Sequence, residues 1–389
     1  MPWKETCAME QRKHFVKDWL RHELTKTQLC EAYGISRPTG DKWIERAMRE
    51  GIEALAEHSR APHRHPNTTP AELAQMIIET KLAHQYFGPK KVLDCLRRRS
   101  PHRAWPADST AGEILKRAGL VRPRRVRRQV YPDSQAFGAC NGCNDLWSAD
   151  FKGDFALGSQ QRCYPLTVSD NYSRYLLQCR ALPNTQAAAV RQWMEWTFRE
   201  YGLPRGIRTD NGAPFASLAI GGLSALSKWW IQLGIRPQRI RPGKPGQNGR
   251  HERMHRSLKQ ACPPQASMAA QQRRFDAFVH EFNTERSHEA LGRTTPGSRY
   301  RASARDYPAK LPVVAYGDDM SVRYVHPNGE IRWQKRTLYL SKVLAKDHVG
   351  LKQIDESIWE IRYSFHLLGL FDERTGELMP ANGWHGNDY

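Results

Sequence analysis

The sequence of 389 residues lacks long apolar runs, and no apolar segment follows Met1. A membrane-spanning helix needs about 20 mostly apolar residues, and a signal peptide needs a shorter apolar core. We therefore expect no membrane partner and a cytoplasmic location. Cysteines number only eight, and the one close pair, Cys140 and Cys143, has no second pair at a spacing that would complete a zinc site. We interpret this pair as loop cysteines.

Acidic residues are scarce relative to basic ones. The chain has 40 Asp and Glu against 60 Lys and Arg, which gives a formal charge of +20. Such an excess attracts polyanions and speeds their encounter with the protein. Nucleic acid is the first partner to consider, although ribosomal-type binding or an acidic membrane surface would fit the charge equally well. The length of the chain favours two to four domains.

Residues 8–60 have the pattern of a helix-turn-helix unit. Apolar residues recur at helical spacing on both sides of Gly34, and Ser36 can cap the second helix. In such units the second helix enters the major groove of DNA. The predicted DNA-facing side chains are Arg37, Thr39, Lys42 and Arg46. A plain helical hairpin is the alternative, because Pro38 and Gly40 in the first turn weaken the pattern.

A second helix-turn-helix-like unit is predicted over residues 67–120, after a linker rich in proline and histidine. Two such units in tandem suit a long, composite DNA site. From Lys116 to Arg128 the chain then has seven basic residues and no acid. We predict that the basic linker 121–142 follows a phosphate backbone. The linker side chains predicted to contact DNA are Arg124, Arg125, Arg127 and Arg128.

Residues 143–300 alternate between strand-like and helical segments. Three strands are predicted near 145–152, 162–169 and 175–181, followed by a helix near 185–201 and a short strand at 206–210. This layout is compatible with a ribonuclease-H-like α/β sheet.

Residues 310–380 read as short strands. Pro327-Asn-Gly329 is a hairpin signal between strands near 322–326 and 330–334. Five or six short strands in such a span predict a small, SH3-like β-barrel. The expected fold class is therefore multidomain α+β: two helical units, an α/β catalytic core and a C-terminal barrel.

Three acids stand where an α/β fold exposes polar groups over the edge of its sheet. Asp150 lies in the first strand, Asp210 ends a later strand, and Glu252 begins a helix after an irregular run. Three converging carboxylates repel one another unless divalent cations neutralise them, and Mg²⁺ prefers oxygen ligands. Two such ions would suit phosphodiester chemistry.

The segments around these acids resemble the catalytic core of insertion-sequence transposases, the DDE family, whose core is of the retroviral-integrase type. The matching segments are Trp147-Ser-Ala-Asp-Phe-Lys-Gly153, Thr209-Asp-Asn-Gly-Ala-Pro-Phe215 and Pro245-Gly-Gln-Asn-Gly-Arg-His-Glu252. The resemblance spans residues 140–300, and Asp210 and Glu252 stand 42 residues apart in it. It implies that Asp150, Asp210 and Glu252 are the catalytic, metal-binding acids.

The same resemblance implies a reaction, a cofactor and partners. We expect cleavage at the 3′ ends of an element and strand transfer into target DNA, with Mg²⁺ or Mn²⁺ and two ions per site. Arg256 and Lys259, on the helix face of Glu252, and Lys244 in the preceding loop are expected to contact DNA. This reaction implies double-stranded DNA as the partner, at least a homodimer on the DNA, and a location on the nucleoid.

Two alternatives remain open at this point. A transposase-derived DNA-binding regulator would keep the fold without catalysis. A zinc metalloprotease would use His251-Glu-Arg-Met-His255, which matches the H-E-x-x-H motif, although the helix is basic and no third ligand follows in a recognisable pattern. Asp154 and Asp170 are excluded as catalytic acids, because the first lies past the strand and the second lies in a turn.

Overall fold

The computed structural model describes residues 7–57, 68–121, 140–217, 219–240 and 249–381. It divides into two compact units with a boundary at Thr68. The predicted DNA-contacting residues of the basic linker, Arg124, Arg125, Arg127 and Arg128, lie outside the described residues, and so does Lys244. The finer domain boundaries stay a prediction. No helix in the described ranges is long and apolar enough to cross a membrane.

The first unit is a helix-turn-helix domain, as predicted. Its helices are α1 (Ala8–Leu20), α2 (Lys26–Ala32) and α3 (Arg37–Glu50). Gly34 adopts a φ of 63° in the turn, a left-handed conformation that glycine reaches without strain. A Cβ on Gly40 would lie 2.6 Å from the Sγ of Cys30, so glycine is needed where α3 crosses α2. Pro38 stands in the first turn of α3, where a missing N–H costs nothing.

Three more helices begin the second unit, within the residues predicted to form a second helical unit. They are α4 (Ala71–Ala83), α5 (Pro89–Arg99) and α6 (Asp108–Arg117). Their shared core is apolar and includes Ile77, Phe87, Leu93 and Leu115, none of which is measurably exposed.

The central sheet combines antiparallel and parallel strands, in agreement with the α/β core predicted from the sequence. Its strands are β1 (Leu146–Phe151), β2 (Phe155–Ala156), β3 (Arg162–Asp170), β4 (Leu176–Leu182), β5 (Gly206–Thr209) and β6 (Arg236–Arg239). The strands β4, β3 and β1 pair antiparallel, and β5 and β6 continue from β1 as parallel strands. The short strand β2 pairs with the start of β3.

Helices cover both faces of this sheet. They are α7 (Ala187–Tyr201) and α8 (Ala225–Gln232), then α9 (Gly249–Ala261), α10 (Met268–Thr284) and α11 (Pro296–Arg299). Trp147 and Ala149 of β1 pack with α7 and α8. Successive strand residues point to opposite faces, so Asp150 belongs to the other face. That second face is covered by α9 and α10.

The C-terminal region is built of short antiparallel strands. They are β7 (Ser321–Tyr324), β8 (Glu330–Trp333), β9 (Arg336–Tyr339), β10 (His348–Gln353), β11 (Ile358–Tyr363), β12 (His366–Asp372) and β13 (Leu378–Pro380). One sheet has the order β13-β12-β11-β10-β7, and β8 pairs with β9. Among the described strands no pairing closes these sheets into a barrel. The SH3-like barrel therefore stays a prediction.

The predicted hairpin at Pro327-Asn-Gly329 is wrong in its pairing. The turn itself forms, because Gly329 donates to the carbonyl of His326 and His326 donates to that of Glu330. The flanking strands then part: β7 pairs with β10, and β8 pairs with β9. The strands β7 and β10 are distant in sequence, so turn chemistry at residues 327–329 cannot specify their pairing, whereas β8 and β9 form a hairpin around Gln334 and Lys335.

A buried histidine connects the α4–α6 helices to α10. The Nδ1 of His84 lies 2.6 Å from Oε1 of Glu281, and its Nε2 lies 3.2 Å from Oε2 of Glu285. Hydrogen bonds to Cys95 and Glu281, with the nearby charge of Glu285, raise the pKa of His84 to about 9. The imidazolium form is thus favoured in the folded protein.

We predict that this ion pair makes stability depend on pH. Because the folded-state pKa of His84 is raised, its contribution is complete below the unfolded value and is lost as pH rises through about 9. His84→Asn should lower the free energy of unfolding by about 2 kcal/mol near pH 6 and by much less near pH 10. Urea unfolding of both proteins at the two pH values measures this. An equal difference at both would contradict the ionic interpretation.

Candidate active site at the ends of two parallel strands

Two of the predicted acids lie level with each other on neighbouring strands. The parallel register pairs Ser148 with Arg208, and the same register carried two residues further sets Asp150 beside Asp210. Asp150 stands near the carboxyl end of β1, and Asp210 directly follows β5. Parallel strands present their carboxyl ends at one edge of a sheet, which is where such folds place their reactive groups.

The Asp-Asn-Gly sequence shapes the turn after β5. The backbone N–H of Gly212 donates to Oδ1 of Asp210 over 3.1 Å, and the side-chain amide of Asn211 donates to the carbonyl of Ile240 over 2.8 Å. A Cβ on Gly212 would lie only 3.0 Å from Oδ2 of Asp210. Glycine therefore leaves room for a carboxylate that folds back over its own turn.

Helix α9 is held on the sheet by two histidines and one threonine. The Nε2 atoms of His251 and His255 both lie 2.7 Å from Oγ1 of Thr167, which stands opposite Asp150 in the β1–β3 ladder. The Thr167 hydroxyl also lies 3.0 Å from the backbone carbonyl oxygen of Asp150. The Nδ1 of His251 lies 2.9 Å from Oγ of Ser169. The same hydroxyl thus contacts both the helix and the strand that carries Asp150.

Because α9 packs on the sheet through His251 and His255, Glu252 lies on a different, outward face of the helix. His251 and His255 are 1% and 6% exposed, whereas Glu252 is exposed in the first turn of the helix. Arg256 and Lys259 follow on the same face and are exposed as well.

Asp210 and Glu252 both lie close enough to Asp150 to affect its pKa. Burial, then the negative charge of Asp210, and less strongly that of Glu252 raise the pKa of Asp150 to about 7. Lys152 opposes this shift. A protein that holds a half-buried carboxylate beside two others has an arrangement that a bound cation would stabilise.

The histidines contribute no positive charge to this cluster. His255 Nδ1 lies 4.0 Å from Oδ2 of Asp150. Burial, however, lowers the pKa of His255 to about 2 and that of His251 to about 3, so both imidazoles are neutral.

The zinc-protease alternative does not fit this hydrogen bonding. Asp150, His251 and His255 do bring one potential ligand atom each within 4.8 Å of the others. Both ring nitrogens of His251, however, are engaged by Thr167 and Ser169, so the H-E-x-x-H pair cannot hold a metal without breaking these bonds. The motif instead fixes the helix. A pair of histidines at i and i+4 on a polar helix was the signal in the sequence, and it was interpreted only as a metal motif.

Asp154 and Asp170, which the sequence analysis excluded as catalytic acids, are engaged by other residues. The Nε of Arg162 donates to Asp154 over 2.6 Å. Asp170 is 1% exposed, and its carboxylate accepts from the backbone N–H groups of Asn144 and Ser173 and from the Ser173 hydroxyl.

The predicted DNA-facing residues of α3 differ in their surroundings. Arg37 and Lys42 are exposed, and Lys42 lies over the ring of Trp43 at 4.7 Å. Thr39 lies 2.9 Å from the Ser36 hydroxyl. Arg46 donates to the carbonyl of Ala56 over 3.1 Å and is half-buried, so part of its hydrogen-bonding capacity is used within the unit.

Three family patterns match the chain. The integrase core domain matches residues 141–245, and a second integrase core domain pattern matches residues 233–296. The winged helix-turn-helix pattern matches residues 16–74. An integrase-like core implies dependence on a divalent metal, and the helix-turn-helix and integrase domains together imply DNA binding.

Proteins of insertion elements match over most of the chain. The 39.2 kDa protein of insertion element IS476 from Xanthomonas euvesicatoria is 30% identical over 79% of this chain and 82% of its own length. The 31.7 kDa protein of insertion element IS407 from Burkholderia multivorans is 26% identical over 67% of this chain and 91% of its own. Among solved structures, the simian T-cell lymphotropic virus intasome in complex with PP2A regulatory subunit B56 gamma gives a TM-score of 0.36 at 14% identity, over 77% of this chain and 95% of that one. The chain belongs to the DDE-type insertion-sequence transposases, proteins of mobile elements with an integrase core.

Proposed function

We propose that this transposase cleaves DNA at the 3′ ends of its element and joins those ends to target DNA, with Asp150, Asp210 and Glu252 as the catalytic acids. The observation that carries the proposal is the gathering of these acids at one edge of the sheet, where burial, then the charge of Asp210 and less strongly that of Glu252, raises the pKa of Asp150 to about 7. The three carboxylates come from a strand, a strand end and a helix, which is a costly arrangement without a function.

The donor set fits a hard divalent cation. All three side chains offer carboxylate oxygens, the ligands that Mg²⁺ and Mn²⁺ prefer, and the flanking imidazoles are neutral. We propose that Asp150, Asp210 and Glu252 hold two such ions. When bound, these ions would polarise the scissile phosphate and favour deprotonation of the attacking oxygen.

The reaction consists of two in-line displacements at phosphorus. In the first, water forms a P–O bond, the bond to the 3′ oxygen breaks, and that oxygen leaves as a 3′-hydroxyl. In the second, this hydroxyl forms a bond to a target phosphorus and the target's own 3′ oxygen leaves, so one P–O bond replaces another. Neither step needs a covalent protein intermediate.

Other residues of the chain bind and orient the DNA. Arg256 and Lys259 are exposed on the Glu252 face of α9 and would hold phosphates beside the acids. Arg37 and Lys42 of the first unit would meet the major groove. The described part of each chain holds one such acid cluster, so joining two element ends requires at least two copies on the DNA. Such binding would place the protein on the nucleoid.

A regulator without catalysis is the second candidate. It would use the helix-turn-helix unit and the positive charge of the chain, +20 overall, while the core served as a scaffold. The two candidates differ in one result, which is the formation of joined strands.

The acid cluster should destabilise the metal-free protein. Because the pKa of Asp150 is raised in the folded state, the folded protein loses stability as the pH rises from the ordinary pKa of an aspartate, 3.8, through about 7. Asp150→Asn should therefore raise the free energy of unfolding by about 2 kcal/mol at a pH near 8 in a chelator, and the gain should shrink in excess Mg²⁺, which stabilises only the wild type. Thermal unfolding measures both. Asp154→Asn is the control, since Asp154 is paired with Arg162 and no gain is expected.

Strand joining tests the function itself. A labelled duplex carrying the element's ends should be cleaved and joined to target DNA by the wild type with Mg²⁺ or Mn²⁺. Glu252→Gln, which keeps the size of the side chain, should reduce joining about 100-fold or more while DNA affinity is retained. Asp154→Asn should join DNA like the wild type. If the wild type binds the ends tightly and joins none in either metal, the regulator replaces the enzyme.

A further inference from the structure

A basic cavity of about 390 Å³ lies beside α9, on a face other than that of Glu252. Residues from four parts of the second unit line it: Lys91 of α5, Arg174 after β3, Arg250 and Arg253 of α9, and Arg286 and His288 after α10. With 3.6 residues per turn, Arg250 and Arg253 lie about 100–160° around the helix from Glu252. The cavity is therefore separate from the acid cluster.

Positive charge dominates the lining. Two acids, Asp170 and Glu289, stand among five basic residues. Asp170 is 1% exposed, and its carboxylate already accepts three hydrogen bonds from Asn144 and Ser173. Glu289 is exposed and lies 3.6 Å from Lys90, which is outside the lining. The two negative charges are therefore outnumbered by five positive ones, and the lining keeps a net positive charge.

The guanidinium groups share neutral acceptors. Arg174 and Arg250 both donate to the backbone carbonyl of Asn171, over 2.5 and 3.2 Å. Arg286 donates to the Ser257 hydroxyl over 3.3 Å and to the ring of His288. The Nε of Arg286 is buried and has no hydrogen-bond partner among the described residues.

The cations of this cavity repel one another. Burial and the charges of Arg250 and Arg253 lower the pKa of Arg174 to about 10. Burial and the charges of Arg286, Lys91 and Arg174 lower the pKa of His288 to about 3. Cations held this close together are stabilised by an anion that enters between them.

We infer that this cavity binds a phosphate group of a DNA strand. Its volume accommodates a phosphate with its sugar, and planar guanidinium groups match phosphate oxygens. DNA is favoured over a small anion because Arg253 is exposed at the cavity and Glu252 stands next to it on the same helix. A strand held here would run between the α4–α6 helices and α9. The inference deepens the proposed function and rests on it only for the identity of the partner as DNA.

The test uses the full-length chain and two double variants of equal charge. Lys91→Gln with Arg253→Gln removes one cation from each wall of the cavity. Arg273→Gln with Lys310→Gln removes two exposed cations that do not line it. Fluorescence anisotropy with a labelled duplex of the element's end, in a chelator, gives the affinity at several salt concentrations between about 0.05 and 0.2 M.

The cavity variant should lower the slope of log affinity against log salt by about 1, the loss of roughly one phosphate contact, and the control variant should change it much less. The single variants Lys91→Gln and Arg253→Gln, one from each wall, should shift the slope in the same direction. Equal slopes for the cavity variant and the control would overturn the inference.

Inorganic phosphate separates the two sources of the ligand. One outcome is that phosphate raises the unfolding temperature of the wild type but not that of the cavity variant, while the cavity variant and the control variant have the same salt slope for DNA binding. In that case the cavity holds a free phosphate, and the assignment to DNA is overturned. The binding assay contains no divalent cation, so it does not depend on whether the protein joins strands. Equal salt slopes would likewise say nothing against strand joining, so the two proposals can fail separately.

Discussion

The position of the acid cluster depends on one hydroxyl group, that of Thr167. It lies within 3.0 Å of the backbone of Asp150 and within 2.7 Å of both histidines of α9. Burial keeps these imidazoles neutral, so the helix docks without placing a cation beside Asp150. Neither imidazole therefore compensates the negative charge of the cluster.

Helix α9 serves three surfaces at once. One face docks on the sheet through His251 and His255, a second carries Glu252 with Arg256 and Lys259, and a third borders the basic cavity with Arg250 and Arg253. A helix in which every third or fourth residue returns to the same face allows this division within a few turns. Glu252 and the cavity arginines thus lie on different faces of the same helix. Basic side chains can hold DNA phosphates near the acid cluster without pairing with its carboxylates.

Much of the core could be predicted from the sequence, because its signals are local. The strands near 145–152 and 162–169, the helix near 185–201 and the Asp-Asn-Gly turn at Asp210 each depend on neighbouring residues. The helix-turn-helix unit was predictable for the same reason, and the steric need at Gly40 shows why an apparent weakness in the pattern fits the fold.

Features that depend on distant partners could not be predicted. The pairing of β7 with β10 brings together strands more than 20 residues apart, and the Pro327-Asn-Gly329 turn gave no hint of it. The roles of Thr167 and Ser169 depend on a helix about 80 residues away. The same holds for the basic cavity, since its cations come from four separate segments of the chain. Residue spacing alone therefore suggested a metal motif at His251 and His255, where tertiary packing provides a docking face.

The location of a bound divalent ion would show whether the carboxylates or the histidines form the metal site. Crystals of the wild type soaked in Mn²⁺ would reveal the ion by its anomalous scattering. We expect density in contact with carboxylate oxygens of Asp150, Asp210 and Glu252, with Thr167 still bonded to both histidines. Density held by Asp150 together with His251 and His255, and without Glu252, would contradict it.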